Sequence, residues 1–134
     1  MTRVGFEVPD EVSAVLEPAR LEEIVSLIKR IYVDDKLLDY MVDITFATRT
    51  PKEYRVDVGP YIQFGASPRA TIYLSLAARA YAFLQGRAYV TPQDIKTIAP
   101  DVLRHRIIPT FEAEADDITT DQIISRIFDA IEVP

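Results

Sequence analysis

The amino-acid sequence predicts an all-α fold, a compact bundle of about five helices around one central helix, with at most very short strands. Apolar residues recur at helical spacing in several stretches, and most of these stretches open with a helix-capping residue. One stretch, residues 68–85, is apolar on almost every side, which is typical of a helix packed on several faces. The chain has 134 residues, 49% hydrophobic and 27% charged, which suits one globular domain with its own core.

The first two helices are predicted on either side of a short break. The first is expected from Pro18 to about Tyr32, because apolar residues form a helical stripe through it. Asp34 is a suitable N-cap for the second helix, which is expected to end near Arg49. A break this short favours two antiparallel neighbours.

The central helix has a readable beginning and end. Ser67 is a suitable N-cap, and Pro68 fits the first helical position, where no backbone N–H is required. Gly86 offers the left-handed residue that commonly ends a helix. Residues 50–64, before this helix, contain prolines and a glycine and are predicted to form a loop that packs its own apolar side chains.

Arg69 does not suit its predicted position in the first turn of this helix. The positive end of the helix dipole lies there, and it disfavours a cation by a few tenths of a kcal/mol or more. Helix N-termini also bind phosphate groups, so this arginine could complete an anion site. The simpler interpretation is an exposed surface arginine. From the residues alone this interpretation is favoured, because the dipole penalty is small at an exposed position.

Two further helices are predicted in the last third of the chain. Thr91 and Pro92 begin one of them, which is expected to reach about Leu103 and to break at Pro100. An acidic loop follows over residues 112–121, with five acids and no base. The final helix is expected to begin at Thr119 or Thr120, with Gln122 closing a capping box.

The sequence lacks the residues that most catalytic and metal sites need. It has no cysteine and a single histidine, so thiolate and histidine metal clusters are not expected. The glycines do not form a phosphate-binding loop, and neither Ser67 nor Ser75 has a neighbouring base that could make it a nucleophile. The paired carboxylates of Asp34–Asp35 and Asp116–Asp117 are interpreted as helix-end or solvated groups. The chain alone is therefore not expected to be an enzyme.

Charge and hydropathy narrow the classes of partner. The net charge is −6, which disfavours nucleic acid as a partner, and no apolar run is long enough to cross a membrane. Between Arg69 and Arg106, however, six cations face only two acids, so the middle of the chain is locally basic. The absence of cysteine and of a signal peptide fits a cytoplasmic protein.

A succession of short motifs resembles the C-terminal lid of MoxR-type AAA+ ATPases, over roughly residues 18–133. They are Tyr32-Val33-Asp34, Ala47-Thr48-Arg49, Gly65-Ala66-Ser67-Pro68-Arg69-Ala70, Ala77-Ala78-Arg79-Ala80, Gly86-Arg87, Tyr89-Val90-Thr91-Pro92-Gln93-Asp94-Ile95 and Ala99-Pro100-Asp101-Val102-Leu103-Arg104-His105-Arg106.

The resemblance implies a helical lid that closes over ATP held by a separate P-loop domain of the same parent chain. It implies that Arg69 is the sensor 2 arginine, which reaches the γ-phosphate during hydrolysis, with Ser67 and Pro68 beside it as nucleotide-binding residues. ATP and Mg²⁺ are accordingly expected in the parent protein, and no cofactor or metal ion in these residues alone. Arg79 and Arg87 match family positions too, and packing or subunit contacts are expected of them.

The ATPase core of that family is absent from this sequence, including its phosphate-binding loop and its arginine finger. Residues 1–17 are therefore expected to be a lead-in or linker from the core, and residues 18–134 the lid of a larger ATPase. By resemblance the parent works as a hexameric chaperone, often with a von Willebrand factor A-domain protein. The alternative is a free-standing helical module that binds a protein partner through its basic middle or through residues 50–64.

Overall fold

The computed structural model describes residues 12–134, and it confirms an all-α fold. Residues 1–11 of the expected lead-in lie outside the described residues, and residues 12–17 are exposed and irregular. The helices are α1 (Pro18–Lys29), α2 (Asp35–Ala47), α3 (Ala70–Leu84), α4 (Pro92–Leu103), α5 (Phe111–Ala115) and α6 (Thr120–Ala130). One 3₁₀ turn (Gly59–Tyr61) and two very short strands, β1 (Ile62–Phe64) and β2 (Ile108–Pro109), complete the described part.

The helix α3 is central, as predicted, and it packs against α1, α2 and α4. Its buried residues are Ala70, Leu74, Ala78 and Ala82, one stripe at a spacing of four, and the small alanines let neighbouring helices approach closely. Helix α3 thus packs on several faces, as the sequence predicts, but part of its apolar surface stays open, since Ile72 is 60% exposed. The described neighbours therefore cover only part of this apolar helix.

The first helix is shorter and less buried than predicted. It ends at Lys29, and Arg30 is its C-cap, because the chain must turn there to bring Tyr32 beside the segment before α4. The Tyr32 N–H donates to the Ala88 carbonyl, and the Val90 N–H donates to the Tyr32 carbonyl, both at 2.9 Å. None of the residues of α1 is fully buried, although its sequence carries an apolar stripe.

The predicted helix starts at Asp34, Thr91 and Thr119 are confirmed. Each side chain accepts a backbone N–H two or three residues later, and Thr91 and Thr119 form complete capping boxes. The predicted break at Pro100 is wrong, because α4 runs through it to Leu103. Proline removes one hydrogen bond there, but Ala99 and Leu103 on either side are fully buried, and their packing holds the helix together.

The loop 50–64 and the acidic stretch contain more regular structure than expected. Strand β1 pairs with β2 in an antiparallel ladder, so the end of the loop 50–64 is part of a small sheet. Helix α5 occupies part of the acidic stretch, and Thr110 caps it by accepting the Ala113 N–H. The same threonine donates to the Pro60 carbonyl at 2.7 Å, which joins the two regions.

None of the helices within residues 12–134 is long and apolar enough to span a bilayer.

Candidate functional site

The candidate site is the Arg69 turn, residues 65–69, which connects β1 to α3. The Ala70 N–H donates to the Ser67 carbonyl at 2.8 Å, and the Arg69 N–H lies 3.4 Å from Ser67 Oγ. Because Ser67, Pro68 and Arg69 form a turn of their own, α3 begins at Ala70, two residues later than the start predicted at Pro68. Arg69 therefore occupies the N-cap position.

Arg69 places a cation at the positive end of a 15-residue helix. Its side chain is exposed, and the guanidinium takes part in none of the hydrogen bonds or ion pairs within residues 12–134. The first backbone N–H groups are already used, since Thr71 donates to the Pro68 carbonyl and Ile72 to the Arg69 carbonyl. An anion at this end would thus be bound through the guanidinium and the helix dipole rather than through free N–H groups.

The C-terminal end of α2 holds the Arg69 turn in place. Thr48 Oγ1 accepts the Ala66 N–H at 2.9 Å, and Arg49 Nη1 donates to the Ala66 carbonyl at 3.1 Å. Gly65 lies so close to α2 that a Cβ at this position would sit 2.2 Å from the Thr48 carbonyl oxygen. Sequence reasoning assigned no positioning role to Thr48 or Arg49, which directly follow the last residue of α2.

An open cleft of about 570 Å³ adjoins the same turn, and Arg49 and Gly65 line it. Lys52 and Glu53 also line this cleft, so its charges are mixed. The residues that line this cleft do not include Ser67, Pro68 or Arg69, the predicted nucleotide-binding residues.

Three of the six cations in the basic middle are engaged by contacts within the described residues. Arg87 binds Asp94 with both terminal nitrogens, and Arg104 binds Asp121 at 2.7 Å. Arg106 stacks on Tyr73, 4.6 Å from the ring centroid. The region offers a partner much less free positive charge than its sequence suggests.

The Arg87–Asp94 pair fixes the start of α4. Burial of the Asp94 carboxylate raises its pKa, but hydrogen bonds from Arg87 and from Thr91 outweigh this effect and hold the pKa below its ordinary value. The hydrogen bonds that Arg87 donates to Asp94 raise the pKa of Arg87. The pairing with Asp94 thus gives Arg87 a structural role inside the domain.

Arg79, on α3, is half-buried, and its Nε has no hydrogen-bond partner among the described residues.

Within residues 12–134, the acidic and histidine side chains do not form a group of three or more that could hold a metal ion.

Comparison with known proteins identifies one family and several relatives. The family described as the AAA lid domain matches residues 55–127, just over half of the chain. The protein named Chaperone MoxR1 of Mycobacterium tuberculosis is 38% identical over 127 residues, which are 94% of this chain and 34% of the relative. Protein MoxR of Methylorubrum extorquens is 37% identical over 75 residues, or 54% of this chain and 22% of the relative.

A crystal structure of a proposed ATPase from Cytophaga hutchinsonii has the same fold. It superposes with a TM-score of 0.83 at 42% sequence identity, over 87% of this chain and 36% of the other. The chain thus spans about a third of the length of MoxR1 and of this solved structure.

Proposed function

The chain belongs to the AAA lid domain family, in its MoxR type, and on this premise we propose that it closes over ATP bound by a separate P-loop domain. In this proposal Arg69 is the sensor 2 arginine, and residues 18–134 form the lid. Ser67 and Pro68 shape the turn beside the nucleotide. The observation that carries the proposal is the exposed guanidinium of Arg69 at the start of α3, which has no partner among residues 12–134.

The residues of the Arg69 turn suit a phosphate group. During phosphoryl transfer, negative charge is spread over the oxygens of the γ-phosphate, and a fixed guanidinium stabilises that charge. Arg69 has no competing carboxylate within the described residues, and the dipole of α3 adds to its positive charge. ATP and Mg²⁺ would be held by the P-loop domain, with the Mg²⁺ bridging phosphate oxygens, while Arg69 contributes from the lid.

Exposed apolar residues on α1 also support a covering domain. Leu21 and Val25 are each 50% exposed and Leu27 is 48% exposed, although all three belong to the apolar stripe of the helix. Burying such side chains is favourable by about 25 cal/mol per Å² of apolar surface removed from water. A P-loop domain of the same parent chain is the partner that we propose for this face.

The MoxR relationship extends the proposal to the whole assembly. We infer that the parent hydrolyses ATP as a hexameric ring with chaperone activity, in the cytoplasm, and that it works with a von Willebrand factor A-domain protein. Mass measurement of the full-length ATPase in the presence of ATP tests the ring, because a monomer or dimer at micromolar concentration contradicts it.

The site assignment is tested by Arg69→Ala in the full-length ATPase that carries this domain. We expect kcat for ATP hydrolysis to fall about 100-fold, the usual order for losing one group that stabilises transition-state charge. Arg69→Lys should recover only part of the rate, because lysine keeps the charge and loses the planar fork. Arg126→Ala on α6, an exposed arginine beside Tyr61, is the matched control and should stay within twofold. Unchanged turnover in Arg69→Ala would refute the assignment.

The reading frame that encodes these residues separates the lid from a free-standing interaction module. A lid requires a P-loop domain, so a reading frame that encodes no such domain with these residues would favour the module instead.

A further inference from the structure

Buried polar side chains concentrate at two points of the described structure. Within residues 12–134 three polar or charged side chains are buried, namely Thr45, Thr48 and Asp94. Asp94 is explained by the start of α4. Thr45 lies in the last turn of α2 and Thr48 is the C-cap of that helix, and both hydroxyls hydrogen-bond the segment that carries Arg69. A buried hydroxyl costs free energy unless it is hydrogen-bonded, so these contacts define why the threonines are tolerated there.

Thr48 satisfies its hydroxyl in both directions. It donates to the Thr45 carbonyl at 2.6 Å and accepts the Ala66 N–H at 2.9 Å. A valine would fill nearly the same volume without needing any hydrogen bond. What the hydroxyl adds is therefore the connection from α2 to the backbone of the Arg69 turn.

Thr45 makes a parallel connection on the other side of Arg69. Its hydroxyl donates to the Met41 carbonyl at 2.9 Å and accepts from the Thr71 hydroxyl at 3.2 Å. Thr71 lies two residues after Arg69, in the first turn of α3. The chain is thus tied to α2 both before and after Arg69.

Arg49 completes the set by donating to the Ala66 carbonyl at 3.1 Å. Both polar groups of residue 66, the N–H and the C=O, are consequently bound to Thr48 and Arg49, the two residues that follow α2. Gly65 lets the two backbones approach this closely, because any side chain there would collide with the Thr48 carbonyl. Residue 66 cannot rotate without breaking two hydrogen bonds at once.

We propose that Thr45, Thr48 and Arg49, the α2 anchor, are positioning residues that fix the direction in which Arg69 points. This inference rests on the proposed function of Arg69 and adds the device that orients it. Arginine is useful at a phosphate only when its fork is held in the right geometry, and a misplacement of about 1 Å can cost up to about 100-fold in rate. The anchor itself touches no phosphate and acts through Arg69.

The test uses the full-length ATPase with Thr48→Val and Arg49→Ala. We expect kcat to fall about three- to tenfold in each, the effect of losing one hydrogen bond, while KM for ATP stays within twofold. Thr48→Ser keeps the hydroxyl and should restore most of the rate. Thr50→Val is the matched control, because the Thr50 hydroxyl also donates to a carbonyl of α2, at 3.3 Å, but forms none of the described hydrogen bonds to the Arg69 turn.

A double-mutant comparison shows whether the anchor acts through Arg69. In an Arg69→Ala background, Thr48→Val should have no further effect on kcat, because the group that it positions is gone. A full multiplicative effect in that background, or unchanged kcat in both anchor variants, would overturn the proposal. If Arg69→Ala itself leaves turnover unchanged, the proposed function of Arg69 fails instead. Should circular dichroism show that Thr48→Val is unfolded, Arg49→Ala decides alone, since its side chain is exposed.

Discussion

Removing the carboxylate of Asp94 should destabilise the domain more than removing any exposed acid. Asp94 is 2% exposed and accepts two hydrogen bonds from the Arg87 guanidinium, the one on Oδ2 at 2.7 Å, and one from the Thr91 N–H at 2.8 Å. Asp94→Ala leaves the Thr91 N–H and the Arg87 side chain without these partners. The start of α4 loses its capping box as well.

The magnitude follows from the groups that lose a partner. A hydrogen bond to a charged group contributes about 1.5–3 kcal/mol, and breaking a buried pair on one side costs about 3–5 kcal/mol. The side chain of Arg87 is 27% exposed, so water can solvate part of its charge after the substitution. We therefore expect the free energy of unfolding to fall by about 3 kcal/mol, the lower end of that range.

Urea unfolding of the chain at pH 7, followed by the helical circular dichroism signal, measures this loss. The matched control is Asp101→Ala, because Asp101 is also on α4 and also pairs with an arginine, but its side chain is 79% exposed. The control should change stability by less than about 0.5 kcal/mol. A loss below about 1 kcal/mol in Asp94→Ala, or losses of equal size in the two variants, would refute the reasoning.

The same pair predicts a pH dependence with a definite sign. The folded-state pKa of Asp94 lies below the ordinary value of 3.8, so the unfolded chain binds more protons in this range. Its contribution is fully present above the ordinary value and is lost as the pH falls through the folded-state pKa. The stability difference between the wild-type chain and Asp94→Ala should consequently shrink as urea melts are moved from about pH 6 to about pH 3. A difference that grows over this range would contradict the shift.

Three further substitutions test particular backbone and packing features by urea unfolding. Gly65→Ala should cost about 2–3 kcal/mol, because its Cβ would meet the Thr48 carbonyl; a neutral effect would argue against the close approach. Gly86→Ala should cost only about 1 kcal/mol, since its φ of +71° is strained for alanine but the space is open, and a larger loss would mean a hidden contact. Tyr40→Phe should stabilise by about 1 kcal/mol, because the buried Tyr40 hydroxyl has no described partner; destabilisation would reveal one.

The features that the sequence predicted well depend on residues close together in the chain. The capping boxes at Thr91 and Thr119 each involve a partner three residues later, and both form as expected. The left-handed conformation of Gly86 was predictable for the same reason, because a helix often ends with a residue of positive φ and glycine adopts it most readily. The order of the main helices followed from such local signals.

The features that were missed depend on distant contacts. Helix α5 is five residues long, too short for a periodic signal, and its capping Thr110 is held by the Pro60 carbonyl, 50 residues away. Pro100 remains inside α4 because packing outweighs the lost hydrogen bond, and no local pattern reports that balance. The length of α1 was overestimated because Tyr32, the predicted last residue of this helix, instead forms a β-bridge with Tyr89.

The candidate site was predictable only in part, for the same physical reason. Arg69 could be singled out because a cation at a helix start conflicts with the dipole within a few residues. The contact that holds it, from Thr48 to Ala66, spans 18 residues and joins a helix end to an irregular turn. Thr48 is the C-cap of α2, and a threonine near a helix end does not identify its distant partner, because many such threonines simply bond to their own helix.

Two surface features conflict with an isolated domain, and one proposed neighbour would account for both. Leu21 and Val25 expose an apolar stripe to water, and the Arg69 guanidinium at the positive end of α3 has no partner in the described part of the chain. The exposed apolar stripe is unfavourable without an apolar partner, and the cation at the helix start is unfavourable without an anion. A P-loop domain with bound ATP would supply an apolar surface and a phosphate together. Helix capping, helical periodicity and core packing agree through most of the described domain. A function is therefore expected at the surface positions that do not follow these patterns.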